Sequence, residues 1–365
     1  MAKKIGIITF HKAVSFGAAY QAYALQTFLQ EKGNTVEIID YVPKRFSTFD
    51  SIFIMGKGQS FFKKMIKFIP FVCSRITAVL MLQRFNRKYL KLSPKTYKSE
   101  KQLVIDSPSY DLYLTGSDQV WNLKFDNWEN IKPYLFSFTD KKKISYAASM
   151  GMSSLDECPD ETKKQFLDLL DKYSAISVRE ESAKSILEAE GISAKWVLDP
   201  TFLIDKESWN KLASKKTLCK DPFILVYGLY RNNNLYKVAK SIAAKNGFKI
   251  INIADSYAFC SGAENKILIP HENLLWYLIN AKCVITDSFH GAAISINCNT
   301  PVYILPAKRY NTRLESLVKK FNLNERYLDN QSFDIDFSLD MDYSEVNSIL
   351  RIERNIAYLF LESNI

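Results

Sequence analysis

Ile5-Gly6-Ile7-Ile8-Thr9-Phe10, then Ser15-Phe16-Gly17, Ala18 to Glu31, and Thr35-Val36-Glu37-Ile38-Ile39-Asp40-Tyr41, together form the stretch that decides the fold. Ile5 to Phe10 is a nearly continuous apolar run, the pattern of a strand buried on both faces of a parallel sheet. Ala19, Ala22, Leu25 and Leu29 recur on overlapping helical faces, and Gly33 ends that helix before the second strand. Strand, helix and strand within about 40 residues make a βαβ unit, hence a parallel sheet with a right-handed crossover. The first turn carries one glycine, Gly17, where a dinucleotide fingerprint needs three, so a nicotinamide cofactor is poorly supported. Gly17 either relieves the backbone at the turn or lets a ligand approach the helix N-terminus.

The same alternation continues outward. Asp111 to Asn122 reads as a short strand ending in a polar, glycine-containing turn, further strands are expected at Lys143 to Ala148, Ala175 to Val178 and Lys195 to Leu198, and helices at Glu161 to Lys172 and Glu180 to Glu190. Lys211 to Asp221 has linker composition, and Phe223-Ile224-Leu225-Val226-Tyr227-Gly228 restarts the pattern. Lys249 to Ile253 follows as a strand, Ala281 to Ala293 reads as strand, polar turn and helix start, and Pro301 to Pro306 is one more strand. The expected fold class is α/β: a Rossmann-like domain over 1–210 with a basic helical insertion at 51–99, and a second over 222–330. Two such domains in series are expected to face a cleft lined by strand ends. A C-terminal helix over 341–362, with Val346, Ile349, Leu350, Ile356, Leu359 and Phe360 at helical spacing, is expected to pack back across the boundary.

The chain has 365 residues and a formal charge of +10, but the excess is local. Between Asp50 and Glu100 lie eleven basic residues and no acidic one, leaving 38 basic and 39 acidic residues elsewhere. A protein that wraps nucleic acid would spread its charge more widely, so nucleic acid is not an expected partner. The run from Arg75 to Arg84 is too short to span a bilayer. Basic residues alternating with Phe, Ile and Leu over 57–91 read either as a solvated face on packed helices or as a surface for an anionic membrane. The N-terminus enters a strand at once without a cleavage site, so the chain is expected in the cytoplasm, peripheral at the inner membrane face if that surface is used. Six cysteines without a CxxC pair, and three histidines, point to reduced thiols and no structural metal site.

Chemistry is expected just past strand ends, where open α/β sheets bind ligands. His290, in Thr286-Asp287-Ser288-Phe289-His290-Gly291, stands between a strand and a helix, with a side chain suited to proton transfer at neutral pH. Gly291 would let an anion approach free backbone N–H groups. His11 follows the first strand and is read as a ligand contact, and Asp118 either caps a helix or orients a hydroxyl. Arg179 at a strand end is read as an anion clamp or as one half of an ion pair with Glu180 or another acid. Arg309 is a second cation past a later strand.

Gly116-Ser117-Asp118-Gln119-Val120-Trp121-Asn122, Ser145-Tyr146-Ala147-Ala148-Ser149-Met150-Gly151 and Thr286 to Gly291 resemble the polysaccharide pyruvyl transferase family. So do Gly17 to Leu25 and Arg309-Tyr310-Asn311-Thr312-Arg313-Leu314, in the family's order across Lys4 to Tyr327. The resemblance implies a GT-B-like fold and transfer of pyruvate from phosphoenolpyruvate to a hydroxyl pair of a cell-surface polysaccharide or its lipid-linked precursor. A cyclic ketal forms and phosphate leaves, with no cofactor beyond the donor. The aspartate, arginine and histidine implicated in such proteins fall on Asp118, Arg179 and His290. Where relatives can carry an arginine two residues before the histidine, this chain has Ser288, so a further donor contact is expected from Arg309 or Lys308. A sugar-nucleotide glycosyltransferase and a non-catalytic glycan-assembly scaffold are the competing readings.

Overall fold

The structure is a computed structural model that describes residues 2–47, 61–229, 232–254, 259–307, 311–329 and 337–365, with the backbone alone at 61–71 and 254. The expected cations Arg309 and Lys308, residues 57–60 and the side chains of Lys63, Lys64 and Lys67 lie outside the described residues. The chain divides into two compact units. The first holds Met1–Pro200 and Leu359–Ile365, and the second Thr201–Tyr358. The expectation carried the first domain to residue 210. Trp209 and Leu212, on the helix Lys206–Leu212, are instead buried members of the second unit.

In the first unit, β1 (Lys4–Ile8), β2 (Thr35–Tyr41), β3 (Leu92–Tyr97), β4 (Leu112–Thr115) and β5 (Lys143–Ser145) form one parallel sheet in the order β3-β2-β1-β4-β5. Single parallel bridges, Ile144 to Ala175 and Ala148 to Val178, lead on to the short pair β6 (Ser177–Val178) and β7 (Lys195–Trp196). The sheet is covered on both faces, which is why β1 and β4 read as apolar runs. Gly6 leaves room for a ring, since a Cβ there would sit 2.3 Å from the Tyr110 side chain. The many aromatic residues make the core, with Phe10 against Tyr134 at 5.0 Å and Tyr113 against Phe136 at 5.3 Å between centroids.

The basic insertion is only partly helical. The helix Phe61–Tyr89 buries Val79, Leu82 and Phe85, and Phe85 meets Tyr20 of the helix Phe16–Glu31. The chain then forms β3, an edge strand beside β2, inside the segment expected to be helical. Leu92-Ser93-Pro94-Lys95-Thr96-Tyr97 carries a proline and little apolar pattern, and only an edge strand tolerates that.

The second unit repeats the winding. β8 (Phe223–Gly228), β9 (Lys249–Ala254), β10 (Glu264–Lys266), β11 (Cys283–Thr286) and β12 (Val302–Ile304) are parallel in the order β10-β9-β8-β11-β12. In each sheet the strand order reverses at one point, between β1 and β4 and between β8 and β11, and the crevice at the strand C-termini there is the usual ligand position. The helix Ser344–Asn364 is divided between the units. Arg354 donates to the Phe202 carbonyl within the second, and Phe360 meets Tyr146 within the first. No helix among the described residues is long and apolar enough to cross a membrane.

Candidate functional site

In the first unit, β4 runs into Gly116, whose bare Cα allows close approach to β1; a Cβ there would lie 3.0 Å from that of Thr9. The Thr9 hydroxyl donates to the Ser117 carbonyl at 2.7 Å and accepts from Gln21 at 2.9 Å, fixing the turn. Asp118 follows with φ of +76°, a left-handed conformation that aspartate tolerates better than most residues. Its carbonyl accepts from Ser149 N at 3.0 Å, and Oδ1 accepts from Gln119 N at 2.9 Å. Asp118 therefore bends the end of β4 toward the end of β5, and its side chain stays 16% exposed.

Arg179, at the end of β6, reaches the same place from below. Its guanidinium is buried, with Nη1 2.8 Å from Asp199 Oδ2 and 3.3 Å from Ser117 Oγ. Nη2 stands 3.9 Å from Asp118 Oδ1, and Nε stands 3.9 Å from Glu180 Oε2. Glu180 Oε1 accepts from Ser149 Oγ and from the N–H groups of Met150 and Gly151. Burial pulls the Arg179 pKa down, but Asp199, Asp118 and Glu180 outweigh it and raise the value above the ordinary one. The arginine is thus ion-paired, and its closest acid is Asp199, which sequence reasoning passed over. The available signal was position: Asp199 follows the strand Lys195–Trp196 as Asp118 follows β4.

His11 sits in a different setting. It is fully buried, with Nε2 2.7 Å from Asp40 Oδ1 and Nδ1 3.2 Å from the Thr9 carbonyl. Thr96 donates to Asp40 Oδ2 at 2.6 Å, and Lys12 Nζ is 3.3 Å from Oδ1. Burial pushes the Asp40 carboxyl up, yet the His11 hydrogen bond and charge, Thr96 and Lys12 hold it down at about 2. The His11 carbonyl also accepts from Asn86 at 2.8 Å, tying the helix Phe61–Tyr89 to the end of β1. His11 exposes no surface here and joins three strand ends. Gly17 is buried in the first turn of the helix Phe16–Glu31, after an N-cap Ser15 whose side chain makes no cap bond.

In the second unit, Thr286 at the end of β11 donates from Oγ1 to the Tyr227 carbonyl at 2.6 Å and accepts from Ser288 N at 3.0 Å. Asp287 Oδ1 accepts from Leu229 N at 2.8 Å, and Ser288 Oγ accepts from Gly291 N at 3.3 Å as the cap of the helix Phe289–Asn297. Gly291 is needed for packing, because a Cβ would meet Thr286 Oγ1 and Tyr227 Cδ1 at 2.8 Å. Of the backbone donors in that first turn, the Gly291 N–H is taken by Ser288. His290 lies in the first turn, its ring edge-on to Phe289 at 5.2 Å and nearly buried. Among the described residues no group of three or more His, Cys, Asp or Glu side chains has metal-holding geometry.

A model of the polysaccharide pyruvyl transferase family matches residues 16–308. The chain belongs to that family. It is accordingly a transferase, and the family implies a glycan acceptor. No curated protein matches the chain. Among solved structures, a UDP-N-acetylglucosamine 2-epimerase candidate from Listeria monocytogenes is similar at 13% identity and a TM-score of 0.52, covering 100% of this chain and 96% of the other. The UDP complex of MnaA from S. aureus aligns at 12% identity over 99% and 90% of the two chains, with a TM-score of 0.49. The first of these likenesses speaks for the fold alone, which is α/β and of the GT-B type with two Rossmann-like units.

Proposed function

We propose that this family member transfers a pyruvyl group from phosphoenolpyruvate to two hydroxyls of a sugar in a surface polysaccharide or its lipid-linked precursor. The donor's methylene carbon takes up one of the two hydroxyl protons, both sugar oxygens bond to the adjacent carbon as its bond to the phosphate oxygen breaks, and phosphate leaves with the second proton, without net oxidation or reduction. Such a reaction needs an acid, a base for the hydroxyl protons, and groups that hold the donor anions. Family membership supports the reading, and one observation carries it further. Asp118 and Arg179, remote in sequence, meet at 3.9 Å beside a strand end, with the Asp118 carboxylate partly exposed. Asp118 is the proposed base and His290 the proposed acid or phosphate partner. Arg309 is assigned to the donor on sequence grounds.

The test incubates purified protein with phosphoenolpyruvate and a panel of lipid-linked sugars, following phosphate release and product mass. Acceptor-dependent phosphate without a ketal product would sink the reading, as would full activity in His290→Ala. A glycosyltransferase would instead bind a sugar nucleotide saturably, and a scaffold would bind neither donor.

The basic segment is proposed to hold the enzyme at an anionic membrane surface. On the helix Phe61–Tyr89, Ile76 and Leu80 are 38% and 55% exposed, and Arg84, Arg87 and Lys88 are exposed one to three turns further on. Apolar contact followed by cations suits an interfacial helix. Anionic liposomes should retain the protein at low salt and release it at high salt or on changing those three cations to Gln. Indifference to both leaves the segment a solvated face.

A further inference from the structure

Asp199 makes the shortest charged contact in the Arg179 cluster and has no place in the roles proposed above. Its side chain is fully buried, and a single oxygen, Oδ2, accepts from Arg179 Nη1 at 2.8 Å and from Ser117 Oγ at 2.9 Å. Ser117 is itself anchored, because its carbonyl accepts from Thr9. Asp199 is anchored too, because the preceding Leu198 carbonyl accepts from the Tyr146 hydroxyl at 3.0 Å. The arginine backbone is held on both sides, its N–H donating to Ala148 and its carbonyl accepting from Trp196 Nε1. With Nη1 engaged on this fixed pair, the planar guanidinium turns Nη2 toward Asp118, 3.9 Å from its Oδ1.

Charge points the same way. Among the described residues, three carboxylates, on Asp199, Asp118 and Glu180, surround the Arg179 guanidinium. That surplus of carboxylate around the guanidinium, among the described residues, suits holding a carboxylate base in place. We infer that Asp199, assisted by Ser117, is a positioning residue: it holds Arg179 in the rotamer that faces and orients Asp118. The catalytic part of this inference rests on the pyruvyl transfer proposed above, whereas the locking of Arg179 does not.

The experiment is arranged to keep those apart. Full-length protein labelled with 15N-arginine is observed by NMR, with the Arg179 guanidinium signals assigned from Arg179→Lys. A locked guanidinium shows restricted rotation and slow proton exchange. In Asp199→Asn the exchange is expected to accelerate by roughly tenfold or more, since a charge-assisted bond is lost, and Ser117→Ala is expected to give a smaller change of the same sign. Unchanged exchange in both variants overturns the inference. If Asp199→Asn does not fold, as judged by circular dichroism, Ser117→Ala alone decides. In the transfer assay, Asp199→Asn should lower kcat by about 10- to 100-fold with the KM for phosphoenolpyruvate nearly unchanged, and Asp199→Glu should recover part of it. A raised KM at constant kcat would make Arg179 a donor clamp and overturn the orienting role. If the wild-type protein forms no ketal, the proposed function fails while the exchange measurement still decides the role of Asp199.

Discussion

The two units share one winding and keep their polar residues at the same place, the C-terminal ends of the strands flanking the reversal of order, yet they hold those residues by different physics. In the first unit the end of β4 is held by a buried charged cluster whose members, Ser117, Asp118, Arg179, Glu180 and Asp199, come from three separate chain segments. In the second, the end of β11 is held mainly by Thr286, Ser288 and Gly291, neighbours in sequence that bond to one another and to the Tyr227 carbonyl. Long-range ion pairing defines one strand end, and short-range hydrogen bonding defines the other. The first arrangement is therefore expected to fail as a block, and the second by small independent steps.

The largest test of that contrast is Arg179→Met, which leaves buried carboxylates without their cation. We expect a loss of about 3–5 kcal/mol, seen by calorimetry as a melting temperature lower by roughly 10 °C, together with loss of transfer activity. A loss no greater than that of a single hydrogen bond would break the contrast. In the second unit, Gly291→Ala pushes a methyl into Thr286 and Tyr227 and should cost about 1–3 kcal/mol in denaturant unfolding, toward the upper end because both contacts would be 2.8 Å. A neutral result would mean that the turn yields.

The third test is pH. The Asp40 carboxyl titrates at about 2 in the folded chain and at about 4 when unfolded. Its stabilisation is therefore complete above pH ~4 and is lost as the pH falls toward ~2, an effect of roughly 2 kcal/mol. Urea midpoints measured across that range should fall less steeply in Asp40→Asn than in the wild type; parallel slopes would remove Asp40 from the account. The smallest expected effect is Ser288→Ala, which removes one helix cap and should cost about 1 kcal/mol in the same assay. A cost matching Arg179→Met would erase the difference between the two strand ends.

How much of this was legible in the sequence follows the same division. β1, β4, β8 and β11 were readable because parallel strands buried on both faces must be apolar throughout. β3 was not, because an edge strand needs few apolar residues and accepts Pro94. At the sites, Asp118, Arg179 and His290 could be singled out by standing next to strand ends, and the Thr286 to Gly291 turn could be placed because its bonds are local. The partners of Arg179 and His11 could not be chosen. Asp199 is one of 39 acidic residues until β7 pairs with β6, Trp196 opposite Val178, and carries it to the guanidinium. His11 meets Asp40 only because β2 lies beside β1 in parallel.

By itself, the sequence determined what each segment becomes: periodicity and glycine placement set strands, helices and turns, and local bonding set the β11 turn. The tertiary structure decided which charges meet. That choice belongs to the fold because a buried ion pair repays its desolvation only where packing brings the two groups into hydrogen-bond contact, and nothing along the chain encodes that distance.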